Sequence, residues 1–451
     1  MNDLISHQRN AGTLHSSGDF SVDKRLALKK LAHFQLPYAD AWLLKVAQAA
    51  TLSGASYLDI IQTSQETRLE FDPRLPISSR QFEAIFFDPG CRPKEWLAAL
   101  RVGLWSIGVG KGRPFQLRPP RSGHSLFWDG KDLRTAPTPS YPALQLHVAH
   151  RSHHVGKGWP LLRNLKSTWV NAALQEAAAS ALYTMPLEVR LNGRRMDGFQ
   201  FCPGHGFSDY DHPIGIHYLR LPGFHDLKVP PGSRENLRAP TRAHPRLRPL
   251  SQDFQSRPPA TRVQAAALLS AHCHYQSGRN GGWRVEARAC ILCWVRYGVV
   301  VQREVFSLPP GSVSLAIFLD ADQLATDATG FHIREEDAAP VRDAVCRELT
   351  PLLRVQSLRN PLVNRRQYRR GLRAAAGLTV GSFLLAPVLP SAAVVGAGSA
   401  LAAFVLAGGL GYVDGNLETH LQRLSECWGS EFPVGSDSIR TQSLDSTPGD
   451  F

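Results

Sequence analysis

The sequence predicts an α+β protein: a first α/β domain, a second and smaller α+β domain, and a C-terminal apolar helical hairpin. Three observations carry that expectation. Residues 40–71 hold a helix, a Gly-Ala stop and two strands in succession. A Pro- and Arg-rich stretch without apolar period, residues 221–262, divides this patterned region from another. Residues 374–413 contain no charged side chain.

A chain of 451 residues is long enough for two or three domains with cores. Its formal net charge of +13 points to an anionic partner, either nucleic acid or the anionic leaflet of a membrane. Seven scattered cysteines make no disulfide framework, and the opening MNDLISHQRN lacks the apolar core of a signal peptide. Both features place the soluble part in a reducing, cytosolic setting.

Residues 1–23 are polar and aperiodic and read as an arm. The first domain is expected over 24–220. After a short helix ahead of Pro37, apolar residues Trp42, Leu43, Val46, Ala47, Ala50 and Leu52 recur at helical spacing. Gly54 stops that helix, and Tyr57–Ile61 and Thr67–Phe71 read as strands. Ser78 and Ser79 are caps for a helix through Phe86. Another helix, at Trp96–Leu104, runs into Gly108, Gly110, Lys111 and Gly112, where alternate glycines beside a lysine expose amides that can hold phosphate. Strands follow at 115–117, 125–128 and 144–148. An alanine-rich helix over 169–183 then leads to a strand closing on Asn192-Gly193.

The order helix, Gly-Ala, strand, strand resembles the opening of the GHKL ATPase superfamily: gyrase, heat-shock chaperones, histidine kinases and MutL. The likeness spans roughly 34–200 and comes closest to bacterial heat-shock-chaperone-like proteins, and it implies the GHKL-type two-layer sandwich. In that family the helix carries a Glu and, four residues on, an Asn. Here those positions fall on Lys45 and Ala49. The Glu serves as general base and the Asn holds magnesium, so the resemblance implies a degenerate, non-hydrolysing member with no catalytic residue. The family's Asp-x-Gly-x-Gly motif falls on Asp72, with Arg74 and Pro76 at the glycine positions, and its glycine-rich lid falls on Gly108–Gly112. The implied cofactor is ATP or ADP held without magnesium, by Lys45, Asp72, Gly108, Gly110, Lys111 and Gly112. The resemblance also admits a homodimer. An active chaperone-like ATPase needs a general base from Glu66, Glu70 or Glu83, none of which sits where the motif puts it.

The second domain is expected over 263–357: a helix at 263–271, two strands turning at Tyr297-Gly298, a buried strand at 313–319 and a helix at 335–353. No metal site is expected. His147, His150, His153 and His154 lack an accompanying carboxylate or cysteine. Cys290 and Cys293, preceded by His272-Cys273-His274, lie on an apolar strand whose residues three apart face opposite ways. Asp320, Asp322, Asp327, Glu335, Glu336 and Asp337 match no cation loop and read as a solvated face.

A basic segment, 358–373, with six arginines, precedes the uncharged run, which divides at Pro390-Ser391 into two segments. Neither has a polar face, and their glycines and alanines suit close helix packing in a bilayer. A transmembrane hairpin over 374–413 with the preceding domains cytoplasmic is therefore expected. Residues 414–451 read as a short helix and a polar tail. Basic residues cluster in linkers rather than among aromatics, which argues against nucleic acid as the partner.

Overall fold

The computed structural model of the chain describes residues 36, 40–75, 94–130, 132–150, 172–206, 208, 211–219, 226–234, 262–276, 282–306, 308, 310–359, 422–426, 428 and 439–442. The expected N-terminal arm, the helices before Pro37 and after Ser78, and the apolar hairpin lie outside these residues. Among the described residues, no helix is long and apolar enough to cross a membrane.

The first lobe begins with α1 (Trp42–Leu52), whose apolar period buries nearly every residue except Lys45, Thr51 and Leu52. It ends in a Schellman turn: the Ala55 N–H donates to Ala50 O and the Gly54 N–H to Thr51 O, with Gly54 at φ +74°. Strands β1 (Tyr57–Gln62) and β2 (Glu66–Phe71) pair antiparallel, with Leu58 opposite Phe71 and Ile60 opposite Leu69 on the buried face. Helix α2 (Glu95–Trp105) lies directly on α1. A Cβ on Gly103 would stand 3.0 Å from Val46 Cγ2 and 3.1 Å from Trp42 O, so this glycine sets the close approach of the two helices.

Strands β3 (Phe115–Arg118), β4 (His124–Trp128), β5 (Leu133–Pro137) and β6 (Leu144–Ala149) follow. A helix, α3, is described over 172–181 and leads to β7 (Glu188–Leu191) and β8 (Arg194–Arg195). The sheet order is β5-β4-β3-β6-β2-β1-β7-β8, with β7 parallel to β1 and the other pairs antiparallel.

The second lobe starts earlier than its local pattern suggests. Strand β9 (Asp211–Leu219) falls inside the range expected for the first domain, yet it pairs with β12 (Ala265–Gln276). The segment expected as a linker includes β10 (Leu227–Lys228), paired with β11 (Arg262–Val263), and one turn of 3-10 helix at Pro231–Arg234. The helix expected at 263–271 is instead most of β12. Its alanines favour a helix in isolation, but β9 and β16 (Val313–Asp320) pair with both its edges and bury residues 265–272 completely, so tertiary pairing overrides propensity.

Strands β13 (Gly282–Val285), β14 (Ile291–Arg296) and β15 (Val299–Phe306) complete most of this sheet. β14 runs parallel to β16, and both are mostly apolar because both faces are covered. The expected turn between β14 and β15 is present, with Tyr297 at φ 50° and Gly298 at φ 79°, the values of a type I′ hairpin. Helix α4 (Glu335–Arg359) packs on the sheet through Val345, Cys346, Leu349 and Leu353.

The chain returns to this lobe after the apolar run. Trp428 is fully buried, its Nε1–H donating to Cys346 O on α4 (3.3 Å) and its ring 5.2 Å from Phe306. The tail, expected to be polar, contains β17 (Ile439–Gln442), which pairs with the otherwise open edge of β15.

Candidate functional site

The surface where α1 meets the second lobe brings together the position expected for the general base and a loop that covers it. Lys45 is the one residue among Trp42–Ala50 that is not fully buried, and its Nζ lies 4.4 Å from the centre of the Phe331 ring. Phe331 belongs to a loop held by Asp327, whose Oδ1 accepts the Gly330 N–H (2.9 Å), the Phe331 N–H (3.3 Å) and the Thr329 hydroxyl (2.7 Å). Gly330, at φ +73°, takes the left-handed turn, and a Cβ there would stand 3.0 Å from Lys45 Nζ. Burial, helped by the nearby Arg296 charge and opposed by Asp327, lowers the Lys45 pKa to about 8. At neutral pH this side chain is therefore mainly a cation and not a base. Ala49, at the expected magnesium-ligand position, is fully buried, and neighbouring Gln48 donates to Arg296 O (3.3 Å).

Asp72 stands elsewhere, at the end of β2. It accepts the Ser56 N–H (2.7 Å), the Ser56 hydroxyl (2.6 Å) and the Tyr57 N–H (3.3 Å), and so ties the start of β1 to the end of its partner. Burial opposes ionisation, and these bonds together hold its carboxyl below the ordinary value.

The glycine segment is also spoken for. Beyond α2 the chain widens into a π-type turn at Ser106–Gly110, and the Lys111 N–H donates to Ser106 O (3.0 Å). A Cβ on Gly108 would stand 2.8 Å from Phe115 Cε1 and 3.0 Å from Trp128 Nε1, so glycine here admits two aromatic rings. Gly112 turns the chain at φ +58°. Lys111 Nζ pairs with Asp40 Oδ1 at 3.1 Å. The six residues thus divide among Lys45 under the Phe331 loop, Asp72 at a strand turn, and Gly108–Gly112 against Asp40 and the aromatic pair.

Beside Lys111, the Ala149 N–H donates to Pro114 O, which sets Arg113 next to His150. Arg113 Nη1 and His150 Nδ1 are both sealed from solvent without a hydrogen-bond partner, although His150 Nε2 bonds the Thr67 hydroxyl (2.7 Å). Burial lowers the pKa values of Lys111, Arg113 and His150 alike, as expected where cations gather with one carboxylate, Asp40. Of the four histidines in this part of the sequence, His147 and His150 are described and His153 and His154 are not. Among the described residues, no three His, Cys, Asp or Glu side chains group closely enough to hold a metal.

Two polar clusters were missed by sequence reasoning because their members come from distant strands. Asp211, His272 and Ser314 stand on the adjacent strands β9, β12 and β16. His272 Nδ1 lies 2.8 Å from Asp211 Oδ1, His272 Nε2 2.5 Å from Ser314 Oγ, and Ser314 Oγ 3.0 Å from His205 Nδ1. Burial opposes the Asp211 charge, but bonds from His272 and Ser208 hold its pKa at about 2, and burial lowers the pKa values of both histidines. Ser314 is fully buried, so this ordered chain serves as a polar seam in the sheet and offers no nucleophile.

The second cluster lies in a polar cleft of about 340 Å³ between the C-terminal end of α1 and the β14–β15 turn, lined by Thr51, Glu95, Lys228, Arg296, Tyr297 and Asp322. Asp320, expected on a solvated face, is partly buried beside this cleft. Burial and the neighbouring Asp322 push its pKa up to about 7, with Asp226 adding to the shift and Lys228 opposing it. The folded chain holds this proton more tightly than the unfolded chain. Stability therefore falls as pH rises from about 4 to about 7. Asp320→Asn should stabilise the protein at pH 8 by on the order of 2 kcal/mol and leave it unchanged near pH 4. An equal gain at both pH values in thermal melts would rule this account out.

No family model and no curated protein matches the chain. In fold it is similar to the N-terminal domain of a DNA repair protein, with 10% identity over 74% of this chain and 99% of that one at a TM-score of 0.39. It is also similar to the B subunit of DNA gyrase from Myxococcus xanthus (11%, 70% and 88%, TM-score 0.35) and to the Aquifex aeolicus MutL ATPase domain complexed with ADP (9%, 61% and 90%, TM-score 0.28). Helix α1 with its Gly-Ala stop, the antiparallel pair β1 and β2 and the parallel return of β7 are present in the order on which the resemblance to the GHKL superfamily rests.

Proposed function

We propose that this protein is a non-hydrolysing, GHKL-like scaffold tethered to a membrane. The observation that carries the reading is Lys45: a cation stands at the general-base position, roofed by Phe331 of the second lobe, with Ala49 one turn on. Neither side chain can activate water or hold magnesium at neutral pH.

A nucleotide-sensing role is favoured by one further observation, the unpartnered Nη1 of Arg113 beside Lys111. A half-buried guanidinium with an unmet donor suits a phosphate-bearing ligand such as ATP or ADP taken without magnesium. Membrane tethering is supported by the return of Trp428 to α4, which brings the two flanks of the uncharged 374–413 run back to one lobe. Both flanks then belong on one side of the bilayer, next to the arginines of 358–373.

The test uses the full chain in detergent or nanodiscs. Titration with ATP and ADP should give binding that is indifferent to magnesium, without phosphate release, and Lys111→Ala with Arg113→Ala should weaken it at least tenfold. Magnesium-dependent turnover overturns the scaffold reading, whereas absent binding removes only the sensing role. Extraction of the chain from membranes by alkaline carbonate would overturn the tether.

A further inference from the structure

The contact between the lobes contains a thiol pair that neither the scaffold nor the nucleotide reading uses. Tyr183, at the end of α3, points its hydroxyl at two sulfurs: it donates to Cys202 Sγ at 3.3 Å and lies 3.7 Å from Cys293 Sγ. Both sulfurs therefore lie around one hydroxyl, on the same side of the joint. All three residues are buried, at no more than 1% exposure. Cys202 lies in the crossover between the two sheets, and Cys293 lies in the middle of β14.

Arg303 completes the group. It is the cross-strand partner of Cys293 on β15, so the two side chains share a face. Its Nη2 donates to Ser180 O, and its Nε is sealed from solvent without a partner. Among the described residues, no carboxylate pairs with it. A guanidinium stays charged wherever it is placed, so one with sealed donors needs an anion. The sulfur opposite it on the neighbouring strand is the group that can supply one. Cys202, though not Cys293, lines a cavity of about 220 Å³ together with Met196, Phe201, Gly204 and Asp211, which brings a small molecule up to the Cys202 side of the pair.

We propose that Cys293 and Cys202 form a redox switch between the lobes, with Cys293 as the nucleophile, Cys202 as the resolving thiol, Arg303 and Tyr183 as positioning residues, and a small hydroperoxide as the oxidant. The Cys293 thiolate attacks the outer peroxide oxygen and the O–O bond breaks. The alcohol leaves with a proton from solvent, and Cys293 becomes a sulfenic acid. Cys202 then attacks that sulfur, the S–O bond breaks, and its thiol proton departs with the hydroxide as water. Two thiols are oxidised to one disulfide and the hydroperoxide is reduced to alcohol and water. The disulfide fixes the crossover segment to the central strand of the second lobe.

The environment of the pair differs from that of the other buried thiols. Burial opposes the Cys293 charge, but Cys202, Arg303 and Tyr183 together lower its pKa, while burial and the neighbouring Cys293 push Cys202 up. Burial pushes Cys290 up to about 12 and raises Cys346 as well, and among the described residues no cation shifts Cys290. These two serve as controls within the same molecule.

The folded full chain is treated with hydrogen peroxide from pH 6 to 8 and mapped by mass spectrometry after alkylation. The expected result is a Cys202–Cys293 disulfide, reversed by dithiothreitol, at a rate that rises less steeply with pH than that of an ordinary thiol. An ordinary thiol gains about tenfold per pH unit below its pKa. Cys290 and Cys346 should stay unmodified, Cys202→Ser should let dimedone trap the Cys293 sulfenic acid, and Arg303→Met should slow the reaction at least tenfold and restore the ordinary rise with pH. Oxidation of Cys290 or Cys346 at the same rate as Cys293, or the absence of the Cys202–Cys293 link in the wild-type chain, overturns the proposal whatever the variants do.

Discussion

Arg342→Ala should cost the second lobe about 3–5 kcal/mol, the largest loss expected from any single side chain on α4. Its partner Glu304 is 1% exposed on β15 and accepts from Arg342 Nε (3.0 Å), Arg342 Nη2 (3.1 Å), Trp294 Nε1 (2.7 Å) and Gln302 Nε2 (3.0 Å). The guanidinium also grips Glu335 at the first turn of α4, with Nη1 at 2.8 Å and Nη2 at 3.1 Å. Alanine removes the cation and leaves the Glu304 charge in the core with only neutral donors. The penalty thus comes from the stranded carboxylate more than from the lost attraction. Glu304→Gln combined with Arg342→Met carries no buried charge and should recover most of the loss. Urea unfolding followed by circular dichroism measures both, and a single-variant loss under about 1 kcal/mol would show the network to be solvated and of little weight.

The sequence made the local features legible and left the pairings between distant segments hidden. Helix α1 was readable because its apolar period and Gly54 stop are local, and so were the two Gly-closed hairpins at Asn192-Gly193 and Tyr297-Gly298. The order of the first lobe followed from these signals. β12 was misread because Ala265, Ala266 and Ala267 show no alternation when both faces are buried, and only β9 and β16 on its edges make it a strand. The membership of β9 in the second sheet is likewise a pairing between residues far apart in sequence.

The candidate site was legible in identity and not in surroundings. That a lysine falls where the resemblance expects an acid can be read from the residues, whereas the Phe331 ring above Lys45 comes from a segment far along the chain. Asp72 reads in the sequence as a turn-initiating Asp before Pro73, whereas its carboxylate accepts from Ser56 and Tyr57 across the β1–β2 pair, a contact no local pattern announces. Cys293 was read as buried, which it is. Its neighbours Tyr183, Cys202 and Arg303 come from a helix end, a crossover and the next strand, so no spacing in the sequence announces them.

Gly298→Ala should destabilise the protein by about 2–5 kcal/mol and weaken the joint between the lobes. Two costs combine. A side chain at φ +79° bears left-handed strain of about 1–2 kcal/mol, and a Cβ there would stand 2.5 Å from Pro186 Cδ and 3.2 Å from Met185 Cα of the first lobe, an overpacking cost of about 1–3 kcal/mol. The carbonyl of Gly298 also accepts the Thr184 hydroxyl at 2.9 Å, so a shift of the turn breaks a bond across the same joint. Gly193→Ala supplies the control, because Gly193 closes a hairpin of the same type at φ +78° with no neighbour within 4 Å. It should lose the strain alone, about 1–2 kcal/mol. The difference between the two variants isolates the steric cost of pressing the β14–β15 turn against the first lobe. If the lobes unfold as one unit through this joint, calorimetry will show the single wild-type transition broadening or dividing in Gly298→Ala and merely shifting in Gly193→Ala. Equal losses in the two variants would mean that the turn does not bear on Pro186 in solution, and the covering of Lys45 by the Phe331 loop would then have to be maintained without it.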